Sequence, residues 1–141
     1  MKYSIIVSII LAIFLFSGCE SDGRGKPEII SFTATRDSLL AGDNELKETV
    51  ITLKLSGDHL KIANKIINYT YEDEYGELIT GLTNHKARTD SAGVAVVSYI
   101  ALTPEDTSEN PRKVTVYAEM NTYRTVNASL DFYIKYLPEE D

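Results

Sequence analysis

The feature that most constrains the fold is an alternation of apolar and polar residues, repeated in six segments that follow Pro27. Successive side chains of a β-strand point to opposite faces, so a period of two predicts strands with one buried face. Valine, isoleucine, threonine and tyrosine dominate the segments and favour pleated sheets. The apolar members are Ile30, Phe32 and Ala34; Ile51, Leu53 and Leu55; Ile67, Tyr69 and Tyr71; Val94, Val96 and Ile100; Val114, Val116 and Ala118; and Leu130, Phe132, Ile134 and Tyr136.

Turn-forming residues lie between these segments, for example Gly42-Asp43-Asn44 and Ser56-Gly57-Asp58. About seven short strands with turns every 8–12 residues predict an all-β fold, an antiparallel β-sandwich over residues 27–137. Residues 94–101 are apolar on both faces, so we expect this strand to be covered on both sides. The best helical candidate, Asp58–Lys65, is short, and we predict a loop there.

The N-terminus carries a second pattern, in which Lys2 precedes the apolar run 5–16 and Ser17-Gly18-Cys19. A bilayer-spanning helix needs about 20 apolar residues, so this shorter run is typical of a secretory signal. A cysteine directly after two small residues resembles a bacterial lipoprotein signal, with Phe16 where such signals usually have leucine. The resemblance implies a signal peptide over residues 1–18, cleavage between Gly18 and Cys19, and lipid on Cys19. The alternative is an uncleaved N-terminal anchor.

Residues 19–26 follow the signal and contain no apolar residue after Cys19, which predicts a lipidated cysteine with a short flexible tether. Residues 138–141 are predicted to form an acidic C-terminal tail. The formal net charge of −7 opposes binding to nucleic acid and to anionic lipid headgroups. We therefore expect no nucleic-acid partner, and attachment to the membrane through lipid on Cys19.

The lipoprotein resemblance predicts a bacterial cell-envelope location. An acidic residue directly after the lipidated cysteine, here Glu20, retains enteric-type lipoproteins at the inner membrane, whereas nearby acidic residues favour surface display in some other phyla. We expect the outer membrane or the cell surface rather than the inner membrane.

A family resemblance lies around Thr89-Asp90-Ser91-Ala92-Gly93-Val94-Ala95. This segment resembles the "T-D-x-x-G-x-A" strand start of bacterial immunoglobulin-like domains of the invasin and intimin type, and Val114–Ala118 resembles their late "V-T-V-x-A" strand. The resemblance covers roughly residues 27–136 and implies an Ig-like sandwich, present here as one copy although the adhesins carry several. A threonine-aspartate turn with glycine also starts strands in transthyretin-like domains. In either case Asp90 can accept backbone hydrogen bonds and Gly93 can adopt a positive φ.

Candidates for catalysis or metal binding are few. His59 and His85 stand in polar contexts without a second ligand at metal spacing, which predicts surface-loop histidines. The sequence has no Gly-x-Ser-x-Gly motif, and Cys19 is the one cysteine. We therefore expect no catalytic residue, no metal site and no cofactor. A calcium site at the acidic run 72–77 is an alternative, against a solvated hairpin.

The nine tyrosines raise a further alternative, because exposed tyrosine rings can stack on sugars. The sequons at Asn68 and Asn127 are interpreted as chance matches in a bacterial lipoprotein. The sequence as a whole predicts a membrane-anchored, non-catalytic envelope lipoprotein whose Ig-like domain serves binding, adhesion or structure, with a protein or glycan partner. The alternative is a lipoprotein that binds a small ligand, either a glycan or calcium.

Overall fold

The computed structural model describes residues 25–42, 45–103 and 109–137. Within these residues the chain forms nine β-strands, a 3₁₀ turn at Glu45–Lys47 and one short α-helix. In chain order the elements are β1 Glu28–Ala34, β2 Ser38–Leu40, β3 Glu48–Ser56, α1 His59–Ile62, β4 Ile66–Tyr71, β5 Gly76–Ile79, β6 Lys86–Arg88, β7 Val94–Ala101, β8 Arg112–Met120 and β9 Asn127–Lys135.

The strands form two sheets packed face to face. One sheet has four strands in the order β1-β3-β7-β5, and the other has five in the order β2-β9-β8-β4-β6. Neighbouring strands are antiparallel except β2, which pairs parallel to β9. The predicted all-β sandwich is confirmed. Its six long strands carry the alternation, and the short strands β2, β5 and β6 bring the described number to nine rather than about seven.

The core lies between the two sheets and is formed by the inward members of the alternation. The fully buried side chains include Ile51, Leu53 and Leu55 of β3, Val114 and Val116 of β8, and Phe132 and Ile134 of β9. Tyr99 is also fully buried, with its ring centroid 4.9 Å from that of Phe132. Burial of these apolar surfaces supplies the main favourable term for folding.

A β-bulge in β1 changes which of its side chains face the core. The pairing of β1 with β3 shifts register between Ile29 and Ser31. An extra residue in a strand changes the alternation, so that in the part of the strand before it the inward and outward positions are exchanged. Ile30, predicted to share the buried face with Phe32, is therefore 55% exposed, and Ile29 packs against the core in its place.

The prediction that β7 is covered on both faces is wrong. Its inner face, with Ala95, Val97 and Tyr99, is buried, but Val96 on the outer face is 55% exposed. Nothing among the described residues packs as a further layer over the four-stranded sheet, whose outer face also carries Val50, Ile79, Val94 and Ile100. Apolar residues on both sides of a strand here reflect an open apolar face rather than a third layer.

The segment predicted as a loop at Asp58–Lys65 contains one helical turn, α1. Asp58 caps this turn: its side chain accepts a hydrogen bond from the backbone N–H of Leu60 at 3.4 Å. Aspartate is a preferred N-cap because it accepts from otherwise unpaired N–H groups. The turn ends where Ala63 returns to extended backbone.

The chain enters the sandwich at one end, which we call the entry pole and define by residues 25–27, 57–65, 89–93 and 121–126. The Lys26 Nζ donates to Thr125 Oγ1 at 2.7 Å, and the Lys61 Nζ donates to the Gly25 carbonyl at 2.8 Å. These contacts fix the last two residues of the predicted tether, Gly25 and Lys26, against the domain. The opposite end, the far pole, contains residues 72–75 and the ends of β7 and β9.

Candidate functional site

The turn before β7 is organised by the side chain of Asp90. Its Oδ1 accepts hydrogen bonds from the backbone N–H groups of Ala92 at 2.8 Å and Val94 at 2.9 Å. Gly93 has a φ of 80°, which L-residues with a Cβ rarely adopt. A Cβ at Gly93 would also lie 3.1 Å from the backbone oxygen of Leu55, so both conformation and space require glycine here.

Thr89 connects this turn to the start of β4. Thr89 is buried; its hydroxyl donates to the Ile62 carbonyl at 2.5 Å and accepts from the Lys65 N–H at 2.8 Å. The residues of the family-like motif therefore join α1, β4 and β7 at the entry pole. The contacts given for these residues are structural.

A buried ion pair lies at the far pole. The carboxylate of Asp73 accepts two hydrogen bonds from Arg112, Nε to Oδ1 at 2.8 Å and Nη2 to Oδ2 at 3.1 Å. The Asp73 side chain is 3% exposed and that of Arg112 is 11% exposed. The Tyr99 hydroxyl donates to the same Oδ2, and Arg112 Nη2 also donates to the Tyr75 carbonyl at 3.1 Å. The two-pronged geometry is the strong form of an arginine–carboxylate contact.

Gly76 is required for the approach of these groups. A Cβ at this position would overlap the phenol of Tyr99 and the carboxylate of Asp73. Burial, followed by the hydrogen bond with Asp73, raises the pKa of the Tyr99 hydroxyl well above its ordinary value. Tyr99 therefore stays protonated and acts as a hydrogen-bond donor to Asp73.

The interpretation of residues 72–77 as a solvated hairpin is wrong for Asp73, since that side chain turns inward to Arg112. Glu72 and Glu74 are exposed. An open groove of about 350 Å³ borders this end of the molecule. Among the described residues, no group of three or more histidine, cysteine, aspartate or glutamate side chains is arranged to hold a metal ion.

The two histidines lie apart from each other and at the surface. His59 begins α1 at the entry pole and is exposed. His85 precedes β6 with a φ of 53°, and its ring centroid lies 5.3 Å from that of Tyr71. Its backbone carbonyl accepts from the Tyr69 N–H at 2.8 Å, which gives this residue a structural contact in the turn.

The outer face of the five-stranded sheet carries two exposed aromatic rings. Tyr117 on β8 is 51% exposed and Tyr133 on β9 is 46% exposed. Tyr133 pairs with Lys113 across the sheet, and Tyr117 pairs with Ser129. Lys113 and Tyr117 are four residues apart on β8. Tyr117 and Tyr133 are therefore separated by roughly 14 Å along the strand direction.

A cavity of about 310 Å³ lies beside Tyr117 on this face. Six of the eight residues that line it are polar, namely Asn68, Thr70, Tyr117, Glu119, Asn127 and Ser129, and the other two are Ala118 and Ala128. The Asn68 Nδ2 donates to Asn121 Oδ1 at 3.2 Å. The Asn68 Oδ1 is buried and accepts no hydrogen bond from the described residues. Both sequon asparagines, Asn68 and Asn127, thus belong to one surface.

The charges that lie between the two tyrosine rings form a pair of opposite sign. The Lys113 Nζ lies 3.1 Å from Asp131 Oδ2, and the Thr115 hydroxyl donates to Asp131 Oδ1 at 2.7 Å. The hydrogen bonds from Thr115 and Lys113 lower the pKa of Asp131, and the hydrogen bond to Asp131 raises the pKa of Lys113. The surface between the two tyrosine rings is therefore polar, and the charges of Lys113 and Asp131 on it are paired.

No protein-family model matches the sequence, and no curated protein matches it. Solved structures do share its architecture. The D0-D1 domains of intimin match with a TM-score of 0.57 at 19% identity, over 78% of this chain and 49% of that chain. The chain has the fold of the intimin immunoglobulin-like domains.

Two other solved structures show the same sandwich as part of a larger protein. A C-terminal 282-residue fragment of intimin, solved in complex with the intimin-binding domain of the translocated intimin receptor, matches with a TM-score of 0.56 at 20% identity, over 76% of this chain and 33% of that chain. A glycosyl hydrolase family 2 member from Bacteroides cellulosilyticus matches with a TM-score of 0.54 at 18% identity, over 79% of this chain and 14% of that chain. The intimin-like sandwich thus spans less than half of each of these chains.

Several sequence predictions fall on residues that the structure does not describe. Gly18, Cys19, the signal peptide 1–18, most of the tether 19–26 and the tail 138–141 lie outside the described residues. In the portion of the chain that is described, no helix has the length and apolar character needed to cross a membrane. Sequence reasoning missed the Asp73–Arg112 pair, whose members are 39 residues apart and carry no shared motif.

Proposed function

We propose that the protein is a non-catalytic lipoprotein of the bacterial cell envelope whose intimin-like domain is a binding or adhesion module. Cys19 carries the lipid that attaches the module to the membrane, and a protein or glycan is its partner. Its location is the outer membrane or the cell surface. The observation that carries the proposal is that both sheets leave an outer face open, one apolar around Val96 and one aromatic around Tyr117 and Tyr133.

The point at which the chain enters the domain supports attachment through Cys19. Five residues, 20–24, lie between Cys19 and Gly25, the first described residue, and the six Cα-to-Cα steps across them reach at most roughly 21 Å. The contacts of Gly25 and Lys26 with the domain prevent further extension beyond that point. Lipid on Cys19 would therefore hold the entry pole close to the membrane and leave both outer faces accessible from the side.

The use of the buried polar groups supports a binding role rather than catalysis. The Asp73 carboxylate is satisfied by Arg112 and by the Tyr99 hydroxyl, and it is shielded from solvent. A general acid or base must reach the proton it transfers. The Asp73 cluster instead fixes the β4–β5 turn against β7 and β8, which is a structural role. The intimin fragment, of which this fold is about a third, was solved in complex with a receptor domain, which is in keeping with a binding role for such modules.

The anchor is tested by cell fractionation of the full chain and of Cys19→Ala. We expect the unmodified protein to sediment with membranes and Cys19→Ala to appear in the soluble fraction. Ser21→Ala is the matched control, since it changes a neighbouring small residue and leaves the signal intact. Membrane retention of Cys19→Ala equal to that of the control would refute lipid attachment at this residue.

The location is tested by adding a protease to intact and to lysed cells. Digestion of the domain on intact cells would support surface display and a partner outside the cell. Protection until lysis would refute surface adhesion and would favour a partner within the envelope.

A further inference from the structure

The outer face of the five-stranded sheet combines two features in one place: two exposed rings and a cavity whose lining residues are mainly polar. We infer that this face, with Tyr117, Tyr133 and the cavity at Asn68, is a binding platform for an uncharged oligosaccharide or polysaccharide. The inference rests on the proposed binding role and specifies its ligand class. We call the surface the tyrosine platform.

The two rings supply the apolar contacts that sugars need. Sugar rings have apolar C–H faces that pack on aromatic rings, and tyrosine offers a rigid ring with a polar tip. Tyr117 and Tyr133 are each about half exposed although both lie in the middle of regular strands. Their separation of roughly 14 Å along the strands exceeds the length of a single sugar unit, so a chain of several units would contact both rings.

The cavity beside Tyr117 supplies the hydrogen-bonding groups. Its side chains include two amides, a carboxylate and two hydroxyls besides that of Tyr117, contributed by Asn68, Asn127, Glu119, Thr70 and Ser129. Each can donate to or accept from a sugar hydroxyl, except the carboxylate, which accepts only.

The paired charges beside the two rings favour an uncharged ligand. Lys113 is paired with Asp131 at 3.1 Å, and Glu119 lies 3.9 Å from Arg124. A surface that binds nucleic acid or an acidic polymer presents unpaired positive charge. The tyrosine platform instead presents paired charges between two aromatic rings.

The other open face of the sandwich differs in chemistry. Its exposed centre is formed by aliphatic side chains, of which Val96 and Ile79 are 55% and 45% exposed. Aliphatic side chains offer neither an aromatic ring nor a hydrogen bond to a sugar. This difference provides a control surface within the same domain.

Affinity electrophoresis tests the platform. The purified domain, with lysozyme as a non-binding reference, is run in native gels that contain soluble xylan, hydroxyethylcellulose, laminarin, mannan or amylopectin. We expect at least one of these polysaccharides to retard the domain. We expect Tyr117→Ala and Tyr133→Ala to weaken that binding about tenfold each, the scale of one lost aromatic contact.

Two variants separate stacking from other effects. Tyr117→Phe keeps the ring and should retain binding within about twofold. Val96→Asp alters the aliphatic face and should bind polysaccharide like the unmodified domain. Circular dichroism and thermal melting of each variant verify that it is folded before its affinity is compared.

The proposal is overturned if no polysaccharide of the panel retards the domain, or if folded Tyr117→Ala and Tyr133→Ala bind as well as the unmodified protein. Loss of binding in Val96→Asp alone would assign the interaction to the other face and would also overturn it. None of these results affects the fractionation of Cys19→Ala, so failure of the platform and failure of the proposed membrane module are distinguishable.

Discussion

Two buried tyrosines that look alike in the sequence should respond in opposite directions to loss of their hydroxyl groups. Tyr69 and Tyr99 are 2% and 0% exposed, respectively. The Tyr69 hydroxyl is buried and has no hydrogen-bond partner among the described residues, whereas the Tyr99 hydroxyl donates to the carboxylate of Asp73. We expect Tyr69→Phe to raise the free energy of unfolding and Tyr99→Phe to lower it.

The magnitudes follow from what each hydroxyl contributes. A buried polar group without a partner costs about 1–3 kcal/mol, so Tyr69→Phe should stabilise the domain by about 1 kcal/mol once the small void left by the oxygen is subtracted. A hydrogen bond to a charged group contributes about 1.5–3 kcal/mol. Tyr99→Phe should therefore destabilise by about 2 kcal/mol, since Asp73 keeps its bonds from Arg112 and from the Tyr75 N–H but loses the one from Tyr99.

Equilibrium unfolding in urea, with near-ultraviolet circular dichroism as the probe, measures both changes. The two variants remove the same atom from the same residue type, so each serves as the matched control of the other. The slope of free energy against urea should remain that of the unmodified domain, because neither change alters the surface exposed on unfolding. Equal destabilisation of the two variants would refute the assignment of a satisfied and an unsatisfied hydroxyl.

Three further predictions concern the turn, the ion pair and alkaline pH. Gly93→Val should destabilise the domain by more than about 1 kcal/mol in urea unfolding, whereas Gly81→Ala, whose added Cβ meets nothing within 4 Å, should change stability little. Arg112→Met should cost about 3–5 kcal/mol because it leaves the Asp73 carboxylate buried without its cation, and a loss below about 1 kcal/mol would contradict that account. Burial raises the pKa of both buried tyrosines, so the unfolded chain releases their protons first, and stability should fall as the pH rises above about 10. Urea midpoints at pH 8, 10 and 11 measure this slope, which should decrease in Tyr69→Phe.

The long strands could be predicted from sequence because their inward side chains recur at every second residue. β3, β8 and β9 each have nine residues, enough for several repeats of the period. β2 and β6 have three residues and β5 has four, too few to show it. The bulge in β1 escaped prediction for a related reason, since a single extra residue inverts the pattern without a glycine or proline to mark it.

The ion pair and the tyrosine platform depend on tertiary pairing rather than on local pattern. Asp73 follows the end of β4 and Arg112 begins β8, and these strands are brought together by sheet formation. Alternation alone assigns Tyr117 and Tyr133 to the faces opposite Val116 and Phe132, so their outward direction was predictable. Their placement on one surface beside Asn68 required the strand order β9-β8-β4, which the sequence does not state.

The direction of chain entry connects the proposed anchor with the proposed ligand. β8 runs from Arg112 at the far pole to Met120 at the entry pole, so Tyr117 lies nearer the entry pole and Tyr133, opposite Lys113, lies nearer the far pole. A polysaccharide that contacts both rings would thus follow the strands and point away from the anchored end. If Cys19 holds the entry pole at the membrane, the tyrosine platform would bind a polysaccharide that extends outward from that membrane. The same ligand could not contact both rings while lying flat across the far pole, because the rings are roughly 14 Å apart along the strands and only one strand spacing apart across them.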